Sequence, residues 1–222
     1  MTKLPNFSAV IFDLDGLVLD TESTYFAAWE EAANSMGYAY SLEFYRSLSG
    51  LEYAAIEQKL LHFYGGNFDL QAFKLLSGQS WRRVVKQQGI AIKPGFKTLL
   101  SIIKRLHLPF ALATNSPQIN AQECLALAGL TEVFTTLISR EQVPNAKPAP
   151  DIFLHAAQQL NIPIQHCLVL EDSYNGVLSA YRAGASVIYV PSDHPAPEAE
   201  ALSRCRLSDL SQVAALIEAQ FS

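Results

Sequence analysis

A chain of 222 residues, half of them hydrophobic and 17% charged, is long enough for one large domain or a domain carrying a smaller insert, and its composition excludes a disordered protein. Lys and Arg number 16 against 21 Asp and Glu, a formal net charge of −5 with no continuous basic tract, which excludes a general nucleic-acid or anionic-membrane surface. No apolar run approaches the roughly 18 residues of a transmembrane helix, no secretory pattern opens the chain, and Cys124, Cys167 and Cys205 form neither a disulfide framework nor a zinc motif, so a cytoplasmic protein with reduced thiols is expected.

The first predicted element is a short apolar strand from Ala9 to Phe12. From Asp20 to Lys93 the pattern turns helical, with one stripe at Trp29, Ala32, Ala33 and Met36, a second at Ile56, Leu60 and Phe63, and a third at Leu75, Leu76 and the Trp81 to Val85 region. "MGYAYS", "LSGLE" and "YGGNFD" punctuate them, and no convincing strand falls among them. This predicts a helical insertion over residues 20–92.

Beyond it, strands and helices alternate. Phe96, Leu99, Leu100 and Ile103 follow a helical period, as do Ile152, Phe153, Ala156, Ala157 and Leu160. Between and after them "LPFALAT" (108–114), "FTTLIS" (134–139), "CLVLED" (167–172) and "ASVIYV" (185–190) are short and apolar rather than alternating, the pattern of strands buried on both faces. The expected fold is α/β, a Rossmann-like parallel sheet with helices on both faces formed by residues 1–19 and 93–222, interrupted by the all-helical insert.

The acids at the end of the first strand are the main chemical signal. In a parallel α/β sheet, ligands bind beyond the carboxyl ends of the strands. Asp13 and Asp15 stand there, on one side of an extended chain, and Gly16 permits a turn that a side chain would obstruct. Alone, such a pair is equally a turn or a cap. Thr114, Asn115 and Ser116 follow a second strand, Lys147 a third, and Glu171 and Asp172 a fourth. Each also has a plain structural reading: Thr114 to Ser116 as helix caps, Lys147 as a solvated charge, and Asp172 or Ser173 as the cap of a helix through Val177, Leu178 and Tyr181.

Taken together they bring four carboxylates, a lysine and several donors to one sheet edge. Two unit charges ~4 Å apart interact by roughly 4 kcal/mol at an effective dielectric near 20, so clustered carboxylates must either take up protons or recruit a cation. Oxygen-only ligands favour a hard ion such as Mg²⁺. With Mg²⁺ and Lys147 present, the edge accepts a phosphate dianion, to which Thr114 and Asn115 can donate.

The motifs "DLDGL" (13–17), "TNS" (114–116), "KPAPDIF" (147–153) and "LEDSYNG" with "AGA" (170–185) resemble, in order and spacing, those of the haloacid dehalogenase superfamily, and the helical insert resembles the cap of its beta-phosphoglucomutase-like subgroup. The resemblance spans nearly the whole chain. It implies that Asp13 attacks phosphorus to give an aspartyl-phosphate and that Asp15 serves as general acid and then base. It implies that Thr114 and Lys147 hold the transferring group, that Asp13, the Asp15 carbonyl and Asp172 hold Mg²⁺, and that Glu171 is a ligand too, directly or through water. Asn115, Gly16, Ser116 and Glu22 are the expected phosphate- and substrate-binding residues. Arg46, Arg82 and Arg83 are further cap candidates, and the cap is expected to select the substrate and exclude water.

The chain departs from the sugar phosphomutases of this group. They resemble one another in a histidine where this chain has Tyr25, an arginine after a cap glycine where Gly50 is followed by "LEYAA" with Tyr53, and a cation where Pro117 stands. Those changes remove grips on a second phosphate. A phosphatase of a small phosphorylated metabolite, such as a sugar phosphate, is therefore expected ahead of a mutase, with a monomer as the family default. Asp15 argues against a dehalogenase, the helical insert against a receiver domain, and the full set of reactive side chains against a silent binding module.

Overall fold

The computed structural model describes residues 4–48, 51, 53–192 and 195–221, and the chain divides into two compact units, residues 1–20 with 91–222 and residues 21–90. Strand β1 (Ala9–Phe12) opens the larger unit. The chain then leaves it to form α1 (Thr21–Ser35), α2 (Leu42–Arg46), α3 (Tyr53–Tyr64) and α4 (Leu70–Gln88). It returns as α5 (Phe96–Arg105), β2 (Phe110–Thr114), α6 (Gln118–Leu127), β3 (Leu137–Ser139) and α7 (Asp151–Gln159). The remaining elements are β4 (Cys167–Glu171), α8 (Tyr174–Ala183), β5 (Ser186–Tyr189), α9 (Pro197–Leu202), β6 (Cys205–Arg206) and α10 (Leu210–Phe221).

The six strands form one parallel sheet in the order β3-β2-β1-β4-β5-β6, as the apolar runs predict. The short edge strand β6 has no counterpart among the sequence-predicted strands, because two residues carry no periodicity. β1 is central and wholly buried, so successive side chains feed two cores. Ala9 and Ile11 face a core built with Ile152, Phe153, Ala156 and Ala157 of α7 and Val177, Ala180 and Ala183 of α8. Val10 and Phe12 alternate with them, and Phe12 packs edge-on against Phe96, Phe110 and Phe134, with α5 and α10 packed together.

The units divide at Asp20/Thr21 and Ile90/Ala91, slightly offset from the sequence-derived boundaries of 19/20 and 92/93. The outgoing and returning segments pair with each other. Leu19 bridges Ile92, the Asp20 N–H donates to the Ala91 carbonyl at 2.9 Å, and the Lys93 N–H donates to Val18 at 2.9 Å. Residues 91 and 92 are thereby held to the sheet unit.

Within the helical unit, α1 lies along α4, and Ala32, Ala33, Tyr40, Leu60, Phe68 and Phe73 form the core. Two sequence-predicted core positions are instead surface positions: Phe63 is 55% exposed and Leu75 is 63% exposed. Phe63 stacks on Phe44 at 3.9 Å between centroids, outside the core. The buried face of α4 runs through Phe73, Ser77, Ser80, Trp81 and Val85, and its two serines hide that face from a count of apolar residues. No helix among the described residues is long and apolar enough to cross a membrane.

Tyr40 is 6% exposed, and its hydroxyl has no hydrogen-bond partner among the described residues. An unsatisfied buried hydroxyl forgoes roughly 1–3 kcal/mol of solvation. Tyr40→Phe is therefore expected to leave stability unchanged or to raise it by about 1 kcal/mol in denaturant titration. A loss of that size would show that the hydroxyl has a partner.

Candidate active site

The carboxyl ends of three neighbouring strands define the site. β1 pairs with β4 through Phe12 and Leu170, and the ladder continues one step as the Asp13 N–H donates to the Leu170 carbonyl at 3.1 Å. On one side β2 ends at Thr114; on the other β4 ends at Glu171, followed by Asp172. Lys147 enters from the connection between β3 and α7. Its ammonium donates to Asp13 Oδ1 at 2.5 Å, Glu171 Oε1 at 2.6 Å and the Ala113 carbonyl at 2.9 Å, and lies 4.9 Å from the centroid of the Phe153 ring. Asp13, Lys147 and Glu171 are all buried.

Electrostatics ties these groups together. Burial pushes the Asp13 carboxyl well above the usual carboxylate range; Lys147 opposes this, while Glu171 and Asp15 add to it. Burial alone would lower the Lys147 pKa, but the charges and hydrogen bonds of Asp13 and Glu171 reverse the effect and hold it above the ordinary lysine value. One cation thus faces several acids. A second positive charge is what the excess of carboxylates calls for.

The Asp15 carboxylate is held by hydroxyls. Thr114 Oγ1 donates to Asp15 Oδ2 at 3.1 Å and Ser116 Oγ donates to the same oxygen at 2.7 Å, while the Ser116 N–H donates to Thr114 Oγ1 at 2.9 Å. Asn115 turns elsewhere. Its Oδ1 accepts from the Lys147 N–H at 2.9 Å and its Nδ2 donates to the Lys147 carbonyl at 3.2 Å, so the carboxamide is committed at both ends to the lysine's backbone.

Asp13, Glu171 and Asp172 each bring a carboxylate oxygen within 4.8 Å of the others. The set is all oxygen and buried, which fits a hard divalent cation. Glu171 fits least as a direct ligand. Oε1 is paired with Lys147, and Oε2 accepts from the Asp172 N–H at 3.0 Å, the Ser173 N–H at 3.1 Å and Ser173 Oγ at 3.1 Å. Ser173 also caps α8, its hydroxyl accepting from the Gly176 N–H at 3.1 Å, as the plain structural reading of this stretch expects.

Two glycines make the crowding possible. Gly16 has φ of 85°, and a Cβ there would collide with Asp172 Oδ2. A Cβ on Gly176 would collide with the Glu171 carboxylate. Sequence reasoning assigned no role to Gly176 or to the hydroxyl of Ser173 as a donor; the "LEDSYNG" motif contains both.

The remaining candidates lie in the helical unit. Glu22 is in the first turn of α1, half-buried, with its carbonyl accepting from the Tyr45 hydroxyl at 3.0 Å. Arg46 and Arg82 are exposed, and Arg83 pairs with Glu31. Tyr25 stacks on Trp81 at 5.7 Å and 13° between planes. Gly50 and the Tyr53 side chain lie outside the described residues.

This geometry has close relatives. The chain is 34% identical over 181 residues to a phosphorylated carbohydrates phosphatase of Thermotoga maritima, covering 82% of this chain and 83% of that one. It is 27% identical over 209 residues to the beta-phosphoglucomutase of Bacillus subtilis, covering 91% of each. Among solved structures, a haloacid dehalogenase family hydrolase of Deinococcus radiodurans, with bound phosphate and sodium, matches at a TM-score of 0.80 and 27% identity over 96% of both chains. The model of the haloacid dehalogenase-like hydrolases matches residues 7–184, a span that contains every strand-end residue named above, and the chain belongs to that family.

Proposed function

We propose that the protein is a Mg²⁺-dependent phosphatase that hydrolyses a small phosphorylated metabolite, such as a sugar phosphate, through an aspartyl-phosphate on Asp13. The observation that carries this reading is the buried Lys147 ammonium bonded to Asp13 at 2.5 Å, with Asp172 beside them at the carboxyl edge of the sheet. The Thermotoga maritima phosphatase and the phosphate-bound Deinococcus radiodurans hydrolase support it.

An oxygen of Asp13 attacks phosphorus, and the bond from phosphorus to the ester oxygen breaks. The leaving oxygen keeps the electron pair and takes a proton from Asp15. Water then attacks phosphorus, Asp15 receives its proton, and the bond to Asp13 breaks to release inorganic phosphate and restore the carboxylate. Thr114 and Ser116 orient Asp15 through hydrogen bonds to Oδ2. Lys147 neutralises charge on the transferring group and, with Thr114, holds it; such transfer depends chiefly on positioning and charge. Asp13, Asp172 and the Asp15 carbonyl would hold Mg²⁺, which supplies further charge neutralisation when bound. The helical unit is the proposed cap, selecting the organic part of the substrate.

A phosphomutase is the second reading, favoured by the likeness to the Bacillus subtilis enzyme. Tyr25, packed flat on Trp81, stands where the resemblance calls for a histidine, and Pro117 where it calls for a cation.

Hydrolysis of p-nitrophenyl phosphate is expected to require Mg²⁺ and to stop in excess EDTA, with Asp172→Ala lowering kcat at least about a hundredfold. Full activity in EDTA would refute the metal requirement. Asp13→Asn should abolish both turnover and the acid-stable phosphoenzyme seen by mass spectrometry, and Asp15→Asn should lower turnover by about 10²–10⁴. Phosphate recovered on Thr114 or Ser116 would reassign the nucleophile.

Glucose 1-phosphate and a panel of sugar phosphates separate the two reactions. Steady release of inorganic phosphate, independent of added bisphosphate, is expected from at least one of them. Rapid isomerisation to glucose 6-phosphate with negligible phosphate release would establish the mutase instead.

A further inference from the structure

We infer that Asn115, Ser179 and Arg182 are positioning residues for Lys147: their side chains hold the backbone of residues 147–149 so that the ammonium reaches Asp13, an inference that rests on the proposed phosphatase reading.

Lys147 sits in a segment without regular secondary structure, between the short helical turn at Arg140–Gln142 and α7. Such a segment supplies no ladder for its own peptide groups, which must find partners elsewhere. Three consecutive carbonyls find them on side chains. Lys147 O accepts from Asn115 Nδ2 at 3.2 Å, Pro148 O from Arg182 Nη1 at 3.0 Å, and Ala149 O from Ser179 Oγ at 2.5 Å. The Lys147 N–H is also taken, by Asn115 Oδ1 at 2.9 Å.

The donors come from two directions. Asn115 follows β2, while Ser179 and Arg182 lie three apart on one face of α8. Ser179 is fully buried beside Val177, Ala180 and Ala183, where a serine is unfavourable unless its hydroxyl has a use. That hydroxyl reaches out of the helix to the loop. A lysine stem is long and flexible, so the place of its ammonium depends on where its Cα is fixed. Neither Ser179 nor Arg182 bonds an acid of the site; both reach it through residues 147–149.

A double-mutant cycle on the full-length protein tests this, with p-nitrophenyl phosphate and Mg²⁺. Ser179→Ala and Asn115→Ala are each expected to lower kcat roughly two- to tenfold, the size of one or two lost hydrogen bonds, with KM within about twofold. In a Lys147→Met background the same substitutions should produce no further loss, because their action passes through the lysine. Equal fold-losses in both backgrounds would overturn the inference, since they would mark general structural support or a separate substrate contact. Circular dichroism melts fix an assay temperature at which every variant is folded. Should Lys147→Met fall below detection, the single variants decide: a lowered kcat in folded Ser179→Ala upholds the inference, and an unchanged kcat overturns it. A wild-type protein that hydrolyses no phosphate ester takes down the phosphatase reading and this inference together, whereas an active wild type with an unaffected Ser179→Ala refutes the positioning alone.

Discussion

The ion triplet of Asp13, Lys147 and Glu171 is the constraint around which the sheet unit is arranged. Charges this deeply buried persist only when they satisfy one another, and removing one partner leaves an uncompensated charge that typically costs about 3–5 kcal/mol. The parallel register meets that demand by ending β1 and β4 side by side, so that Asp13 and Glu171 emerge next to each other with the Lys147 ammonium between them. The connections must then crowd in behind. Gly16 and Gly176 lie where a single added carbon would displace a carboxylate, so the charged centre depends on backbone approaches that only glycine permits.

The apolar layers provide the rigidity that such an arrangement needs. β1 is fully buried and divides its four side chains between two cores, with the aromatic cluster around Phe12 behind one face and α7 and α8 behind the other. The same two helices connect packing to chemistry. Phe153 of α7 lies under the lysine ammonium, and Ser173 at the cap of α8 braces Glu171. Displacing either helix would move a charged group, so packing and electrostatics are not separate structural problems here.

The readable parts of the sequence were those governed by short-range rules. Five of the six strands are apolar runs ended by polar residues, and the carboxyl-edge rule assembles Asp13, Thr114, Glu171 and Asp172 from their places in the chain. What escaped depends on contacts distant in sequence. Phe63 fits a helical stripe yet faces outward onto Phe44, because α3 is turned by packing that its own period does not encode. Of the two buried serines of α4, Ser77 donates to the Lys74 carbonyl one turn back, whereas Ser80 donates to Glu31, a partner 49 residues away. Asn115 reads as a phosphate donor from its position after β2, and only the return of the chain at Lys147 shows both ends of its carboxamide occupied.

An ammonium carries three hydrogens, and in Lys147 all three are taken, by Asp13, Glu171 and the Ala113 carbonyl. The lysine is saturated. A phosphoryl oxygen can reach it only by exchange, and the three acceptors are not equally replaceable. Ala113 is fixed in β2, and Glu171 is anchored through its second oxygen by two N–H groups and a hydroxyl. Of the three, Asp13 alone would change charge during the proposed chemistry: bonding to phosphorus makes its carboxyl part of an acyl phosphate, which loses the carboxylate charge as the anionic phosphoryl group joins it. The lysine would then pass from one anion to the other without losing a counter-charge, and return as the acyl phosphate is hydrolysed.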